Sequence, residues 1–139
     1  MLGFLRTVAL TGVFAVACGG PSSRLITVRA PTGSGAVTFE VKNNTDVPIN
    51  ELYMADSEAV SAAERVDPNS PEGHALWGTD RLTAAIPTGE RVELPVEKPG
   101  NYDVRALDRD RREQHVARLR LQAGGRYILE LNEGGWRVR

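Results

Sequence analysis

Apolar and polar residues alternate along most of this chain with a period of two. Successive side chains of a β-strand point to opposite faces, so this alternation predicts strands with one buried face and one face in water. Five runs alternate clearly: Val37–Lys42, Val92–Glu97, Tyr102–Leu107, Arg118–Gln122 and Tyr127–Asn132. Leu25–Ala30 and Ile49–Ala55 are weaker strand candidates.

Turn-forming residues separate these runs at a spacing typical of an antiparallel β-sandwich or barrel. The turns are Thr32–Gly35, Asn43–Asp46, Pro87–Gly89, Lys98–Asn101, Asp108–Arg111 and Ala123–Gly125. Pro95 lies inside an alternating run, and proline has no backbone N–H to donate to a neighbouring strand. We therefore expect that strand to be bulged or to lie at the edge of its sheet. The sequence thus predicts an all-β fold of about seven strands.

One segment, residues 56–82, departs from the alternating pattern, and we call it the insert. Asp56 or Ser57 is expected to cap a short helix at its start. Pro68 and Pro71 are expected to open a loop after that helix. Long loops on a β scaffold commonly carry functional residues, so we expect a binding or catalytic site in the insert.

The N-terminus carries a different signal, which is that of protein export. Val8–Ala17 is mostly apolar and follows one positive charge, Arg6. This run is too short to span a bilayer, which takes about 20 residues, and it fits the core of a signal peptide. Ala15-Val16-Ala17-Cys18 resembles the lipobox of bacterial lipoproteins, in which small residues precede a lipidated cysteine. Ala15 is a departure, because leucine is usual at that position.

Cys18 is the only cysteine in the chain. A single cysteine in an exported protein points to a special use, and lipidation is one. The resemblance implies a signal peptide over residues 1–17, a lipid on Cys18, and attachment to the membrane of the cell envelope. By the same resemblance, Gly19 after the cysteine favours the outer membrane over the inner. The alternative is an ordinary signal peptide cut after Ala17, which leaves a free thiol.

The remaining chain is expected to form one domain. Residues 18–23 are predicted to be the lipidated cysteine and a flexible tether, and residues 24–139 to be the β-sandwich with its insert. A domain of that length can bury a core without disulfides or metal. The chain has 17 lysines and arginines against 18 acidic residues. This balance argues against a nucleic-acid partner, which normally requires a basic face.

The stretch from about Val37 to Leu131 resembles a group of small secreted bacterial proteins without assigned function. The matching pieces are Asn43-Asn44-Thr45, Ile49–Tyr53, Trp77-Gly78-Thr79-Asp80-Arg81-Leu82, Pro87-Thr88-Gly89 and Tyr102-Asp103-Val104-Arg105. The resemblance implies an immunoglobulin-like or transthyretin-like sandwich, and it implies no reaction. This chain departs from the pattern by inserting Ser57–Ala75 before the tryptophan.

Two short clusters supply candidate binding residues, and each also has a plainer structural interpretation. In the first, Trp77 is either a stacking platform or a plug at one end of the sandwich, with Asp80 capping a turn and Leu82 entering the core. In the second, Asp103 and Arg105 share one strand face, either for binding or as ordinary charges of an outer face. The candidates are Trp77, Asp80, Arg81, Tyr102, Asp103 and Arg105.

The sequence predicts no metal, no cofactor and no catalytic residue. The two histidines, His74 and His115, lie far apart, whereas a zinc site needs three or four ligands. Asp108, Asp110 and Glu113 partly resemble a calcium loop, but the required glycine is missing, so a charged hairpin turn is expected. The chain has neither a nucleophile elbow nor a glycine-rich phosphate loop.

These observations favour a non-enzymatic lipoprotein that binds a protein or another envelope component through the insert or through an exposed strand edge. Two alternatives stay open at this point. One is a small hydrolase that uses Asp80, Glu72 or His74 in the insert. The other is a subunit of a larger envelope assembly, in which strand edges pair with neighbouring molecules.

Overall fold

The alternating runs form seven β-strands in two sheets. The computed structural model describes residues 21–137. One sheet has the strand order β1-β7-β2-β4, and the other has the order β3-β5-β6. The strands are β1 (Arg24–Arg29), β2 (Thr38–Asn43), β3 (Ile49–Asp56), β4 (Arg91–Leu94), β5 (Gly100–Asp108), β6 (Glu113–Leu121) and β7 (Arg126–Leu131).

Strand pairing sets which side chains face the interior. β1 pairs antiparallel with β7 and places Leu25 opposite Leu129. β2 pairs antiparallel with β4 but parallel with β7, where Phe39 lies beside Tyr127. In the second sheet β5 pairs antiparallel with both β3 and β6. These registers gather the apolar positions of each sheet on a single face.

The two apolar faces pack against each other and form the core. Its fully buried members include Phe39, Val41, Leu129 and Leu131 from one sheet and Leu52, Val104 and Leu121 from the other. Burying each large side chain of this kind contributes about 1.5–3 kcal/mol. The predicted all-β sandwich of about seven strands is confirmed.

β4 is an edge strand of the four-stranded sheet. It ends at Leu94, directly before Pro95. The prediction that Pro95 marks an edge strand is confirmed, and the strand stops where the proline removes the next donor.

The insert contains two helices, one more than the sequence predicts. Helix α1 (Ser57–Ala62) is capped by the Asp56 carboxylate, which accepts from two backbone amides of its first turn. Helix α2 (Pro71–Trp77) is capped by the Ser70 hydroxyl, which accepts from Gly73 N at 3.1 Å. A proline is compatible with the first turn of a helix, because a backbone N–H at that position has no acceptor within the helix. The residues expected to form a loop therefore begin a helix.

The residues just before β1 are bound to the domain. Gly134 N donates to the carbonyl of Pro21 at 3.0 Å, and the Asn132 side chain donates to the carbonyl of Ser22 at 2.9 Å. Asn132 N donates to the Ser23 hydroxyl at 3.0 Å. The sequence predicts a flexible tether up to Ser23, whereas these three residues are fixed by partners more than a hundred positions away. Such contacts leave no trace in local sequence.

The predicted signal peptide, residues 1–17, and the predicted lipidation site, Cys18, lie outside the described residues. Between residues 21 and 137, no helix has both the length and the apolar composition needed to cross a bilayer.

Candidate functional site

The insert covers part of the outer face of the three-stranded sheet and leaves a cleft beneath it. The cleft has a volume of about 380 Å³. Its walls come from β3, from β5, from the β5–β6 turn and from the second half of the insert. Its polar and aromatic lining residues include Glu51, Tyr53, His74, Trp77, Asp80, Arg105 and Arg111.

Arg105 is the buried cation of this cleft. It is 4% exposed, and its Nε donates to the Glu113 carboxylate at 2.7 Å. The centre of its guanidinium lies 5.4 Å from the ring centroid of Tyr53, within the range of a cation–π contact. Glu113 is the sole acceptor for this guanidinium among residues 21–137. Arginine has five N–H donors, so the terminal nitrogens can still bind an acceptor in the cleft.

Glu51 and Tyr53 form a linked pair on β3, next to Arg105. The Tyr53 hydroxyl donates to Glu51 Oε1 at 2.6 Å, and the other Glu51 oxygen pairs with Arg111. Burial, together with the hydrogen bond and the negative charge of Glu51, raises the pKa of Tyr53 to about 12. Tyr53 therefore stays a protonated donor even at strongly alkaline pH, and Arg111 compensates the negative charge of Glu51.

Trp77 ends helix α2 and is 5% exposed. Its ring meets the ring of His115 on β6 edge to face, with the centroids 5.4 Å apart. The sequence allows Trp77 to be a stacking platform or a plug at the end of the sandwich. In the structure Trp77 packs the insert against the outer face of the three-stranded sheet. Only part of its surface borders the cleft.

Asp80 and Arg81 cover the free edge of β3. Asp80 Oδ1 accepts from Leu52 N at 2.9 Å and from Leu82 N at 3.0 Å. Arg81 N donates to the carbonyl of Leu52 at 2.7 Å. The interpretation of Asp80 as a turn cap is confirmed, and Leu82 packs against the core as expected. Because the two residues occupy the donor and acceptor of an edge strand, they block pairing with another chain at that point.

Asp103 lies on the same outer face as Arg105, but α1 covers it, so that it is only 3% exposed. It accepts from the Ser57 hydroxyl at 2.6 Å and from Arg118 N at 3.0 Å, and it lies 2.7 Å from His115 Nε2. Burial opposes ionisation, but these hydrogen bonds outweigh it and hold the pKa of Asp103 below its ordinary value. The expectation of an ordinary exposed charged face is wrong for Asp103 and Arg105, because α1 covers the first, and the second is buried beside Tyr53 and Glu113.

The six sequence candidates therefore do not form one site. Trp77, Asp80 and Arg105 line the cleft, and Asp103 lies under α1. Tyr102 and Arg81 line a separate groove of about 230 Å³, where the Tyr102 hydroxyl donates to the carbonyl of Lys98. Sequence reasoning missed Glu51, Tyr53 and Arg111, because residues on two strands and a turn meet only after the sheet forms.

Asp108 organises the turn between β5 and β6. Its Oδ1 accepts from Asp110 N at 2.9 Å and Arg112 N at 2.8 Å, and its Oδ2 pairs with the Arg112 side chain at 2.6 Å. The expected charged hairpin turn is confirmed. Among residues 21–137, no three histidine, aspartate or glutamate side chains are grouped so as to hold a metal ion.

Comparison of the chain with models of protein families, with curated proteins and with solved structures finds no match. The fold is a seven-stranded β-sandwich with a covered cleft on one outer face.

Proposed function

We propose that this protein is a lipid-anchored, non-enzymatic binding module of the cell envelope, and that the cleft under the insert is its binding site. The anchor is the lipid on Cys18, and the outer membrane is the favoured location. The partner is a protein or another envelope component that presents a hydrogen-bond acceptor to Arg105.

The observation that carries the proposed site is the buried guanidinium of Arg105. Removing a charged group from water is costly, and one carboxylate partner offsets that cost only in part. Here the guanidinium is oriented by Glu113 and by the ring of Tyr53, and it borders an open cleft. An arginine held in this way is suited to a carboxylate, a phosphate or a carbonyl group, which its planar fork can bind through two hydrogen bonds.

A crosslinking experiment tests the cleft. A photo-crosslinking amino acid at Asn69, which is exposed and lines the cleft, is expected to yield a discrete adduct in intact cells. The same group at Ser61, which is exposed on α1, is the matched control and is expected to yield none. Equal adducts from both positions, or none from Asn69, contradict the proposed site.

Arg105→Lys separates charge from geometry in the same experiment. Lysine keeps the positive charge beside Glu113 but loses the planar fork. We expect the adduct from position 69 to fall roughly tenfold, since one or two charge-assisted hydrogen bonds are worth about 1.5–3 kcal/mol each. Circular dichroism verifies that the variant is folded. An undiminished adduct from a folded variant excludes Arg105 as the ligand contact.

A separate substitution tests the proposed lipidation of Cys18. Cys18→Ala is expected to abolish incorporation of labelled palmitate and to move the protein from the membrane fraction to the soluble fraction. A single acyl chain binds membranes only marginally, so stable attachment requires the full lipid modification that the cysteine accepts. A variant that stays membrane-bound and labelled contradicts the proposed lipidation.

A second candidate function, hydrolysis, is supported by one observation: His74, Asp80 and Glu51 line the same cleft. Both carboxylates are already engaged. Asp80 Oδ1 accepts from two backbone amides, and Glu51 is held by Tyr53 and Arg111. Binding is therefore the better-supported proposal. Hydrolysis of a panel of esters and glycosides that is lost in His74→Gln and retained in Ser61→Ala favours the enzyme instead.

A further inference from the structure

The fold places the tether and two turns at the same end of the sandwich. β2, β5 and β7 end there, and the strands that pair antiparallel with them begin there. We call this the tether end, and it consists of residues 44–48, 109–112 and 132–137. Gly134 N donates to the carbonyl of Pro21, and the backbones of Glu113 and Arg137 form an antiparallel β-bridge, so the segments are held together. The tether is thus part of one end of the domain.

The opposite end, which we call the far end, contains residues 31–35 and 123–125. Gly33 N donates to the carbonyl of Ala123 at 3.1 Å, and Gly124 N donates to the carbonyl of Gly35 at 3.2 Å. β5 runs between the two ends and has nine residues. At about 3.3 Å per residue, the far end lies roughly 30 Å from the tether end.

Few residues separate Cys18 from the described domain in the sequence. Because Pro21–Ser23 are bound to the domain, only Gly19 and Gly20 separate the cysteine from a fixed residue. Three extended residues reach at most about 11 Å from Cys18 to Pro21. A lipid on Cys18 therefore holds the tether end near the bilayer, at a distance much shorter than the length of the domain.

Resting on the proposed lipidation of Cys18, we propose that the tether end is a membrane-docking surface. The domain stands on the bilayer that holds its own acyl chains, and the far end points away from it. The occupant of this surface is the layer of phospholipid headgroups around the anchor.

The charges of the tether end indicate whether attraction to lipid charge or the short tether orients the domain. Its exposed cations are Arg109, Arg111 and Arg137. Asp46, Asp110 and Glu133 lie among them, so the surface carries both signs. Attraction to anionic lipids is worth about 1 kcal/mol per net basic residue, and here it is largely cancelled. The short tether, not lipid charge, fixes the orientation, and docking should persist on neutral bilayers and at high salt.

In the docked orientation, part of the cleft lies at the membrane-facing end of the domain. Arg111 belongs to the tether end and lines the cleft. One wall of the proposed binding site is therefore part of the membrane-facing end of the domain.

Energy transfer to labelled lipid headgroups tests the proposal. The lipidated protein is placed in phosphatidylcholine vesicles with a fluorophore on a single introduced cysteine, which is the only free thiol because Cys18 carries the lipid. Arg109→Cys reports on the tether end, and Ser34→Cys, also exposed, is the matched reporter on the far end. We expect at least about twofold higher transfer from position 109, since position 34 is about 30 Å further along the strands, and no change of this ratio in 0.5 M salt.

The control variant carries a flexible twelve-residue spacer between Gly20 and Pro21. It should bring the two transfer efficiencies close together, because the domain is then free to rotate. Equal transfer in the short-tethered protein, with palmitate on Cys18, overturns the docking proposal and leaves the proposed lipid anchor intact. Absence of palmitate overturns both.

Discussion

Asp103→Ala is expected to lower the free energy of unfolding by about 3 kcal/mol. The substitution leaves the buried Ser57 hydroxyl and the backbone N–H of Arg118 without their acceptor, and hydrogen bonds to a charged group are worth about 1.5–3 kcal/mol each. It also removes the partner of His115. Urea unfolding followed by tryptophan fluorescence measures the change.

Asp110→Ala is the matched control for this variant. Asp110 lies in the exposed turn after the same strand, and its carboxylate forms no hydrogen bond with any residue between 21 and 137. Its replacement should change the stability by less than about 0.5 kcal/mol. A loss for Asp103→Ala no larger than that of the control contradicts the structural role assigned to the carboxylate.

The pH dependence of Asp103 follows from the direction of its pKa. Because the pKa is lowered in the folded state, the folded protein favours the ionised carboxylate. Its contribution is fully present above the unfolded pKa, about 3.9, and is lost as the pH falls through the lower folded pKa. The stability difference between the natural protein and Asp103→Asn should therefore shrink as the pH falls below about 4. A difference that does not shrink in acid contradicts this assignment.

Asn43→Ala is expected to have an effect of similar size, about 3–4 kcal/mol, at the other end of the fold. The Asn43 side chain is fully buried and donates to the carbonyls of Val47 at 2.8 Å and Ile86 at 2.9 Å. It accepts from Thr45 N at 2.9 Å and from the Thr45 hydroxyl at 2.6 Å. An alanine removes four hydrogen bonds at about 0.5–1.5 kcal/mol each and leaves Thr45 N without its acceptor, whereas the carbonyls of Val47 and Ile86 keep their bonds from the Thr45 hydroxyl and Ile49 N.

The adjacent residue supplies the control. Asn44 is exposed, and its side chain makes one hydrogen bond, to Glu130. Asn44→Ala should therefore cost less than about 1 kcal/mol. Asn43→Asp is a second diagnostic, because aspartate can accept from Thr45 but cannot donate to the two carbonyls. If thermal unfolding shows that either change at position 43 is as mild as the control, this network does not hold the β2–β3 turn.

The strands were predictable because their signal is local. Alternation depends only on which neighbours share a face, so the segment from Thr38 to Asn43 could be assigned without knowing its partners. Its parallel pairing with β7 carries no such signal. The turn at Asn43 and Asn44 was also visible, but the sequence does not distinguish the buried asparagine from the exposed one.

The cleft was less predictable because it depends on where the insert lies. Asp103 and Arg105 have the spacing of outer-face residues, and they do lie on an outer face. The sequence predicts one short helix in the insert, but it does not show that this helix packs on Asp103. The burial of Asp103 and Arg105, and the contact of Arg105 with Tyr53, follow from tertiary packing between distant segments.

The position of β7 has a consequence for how the chain folds. β7 lies between β1 and β2 in the four-stranded sheet. Arg24, the first residue of β1, pairs with Glu130 near the end of β7. A chain that emerges from its N-terminus therefore cannot complete the four-stranded sheet until its last strand is available. Closing contacts this far apart is slow, because the loop entropy is lost before the contacts form. The four-stranded sheet of such a chain stays incomplete while the chain is being made, and an incompletely folded chain is what the proposed export would require.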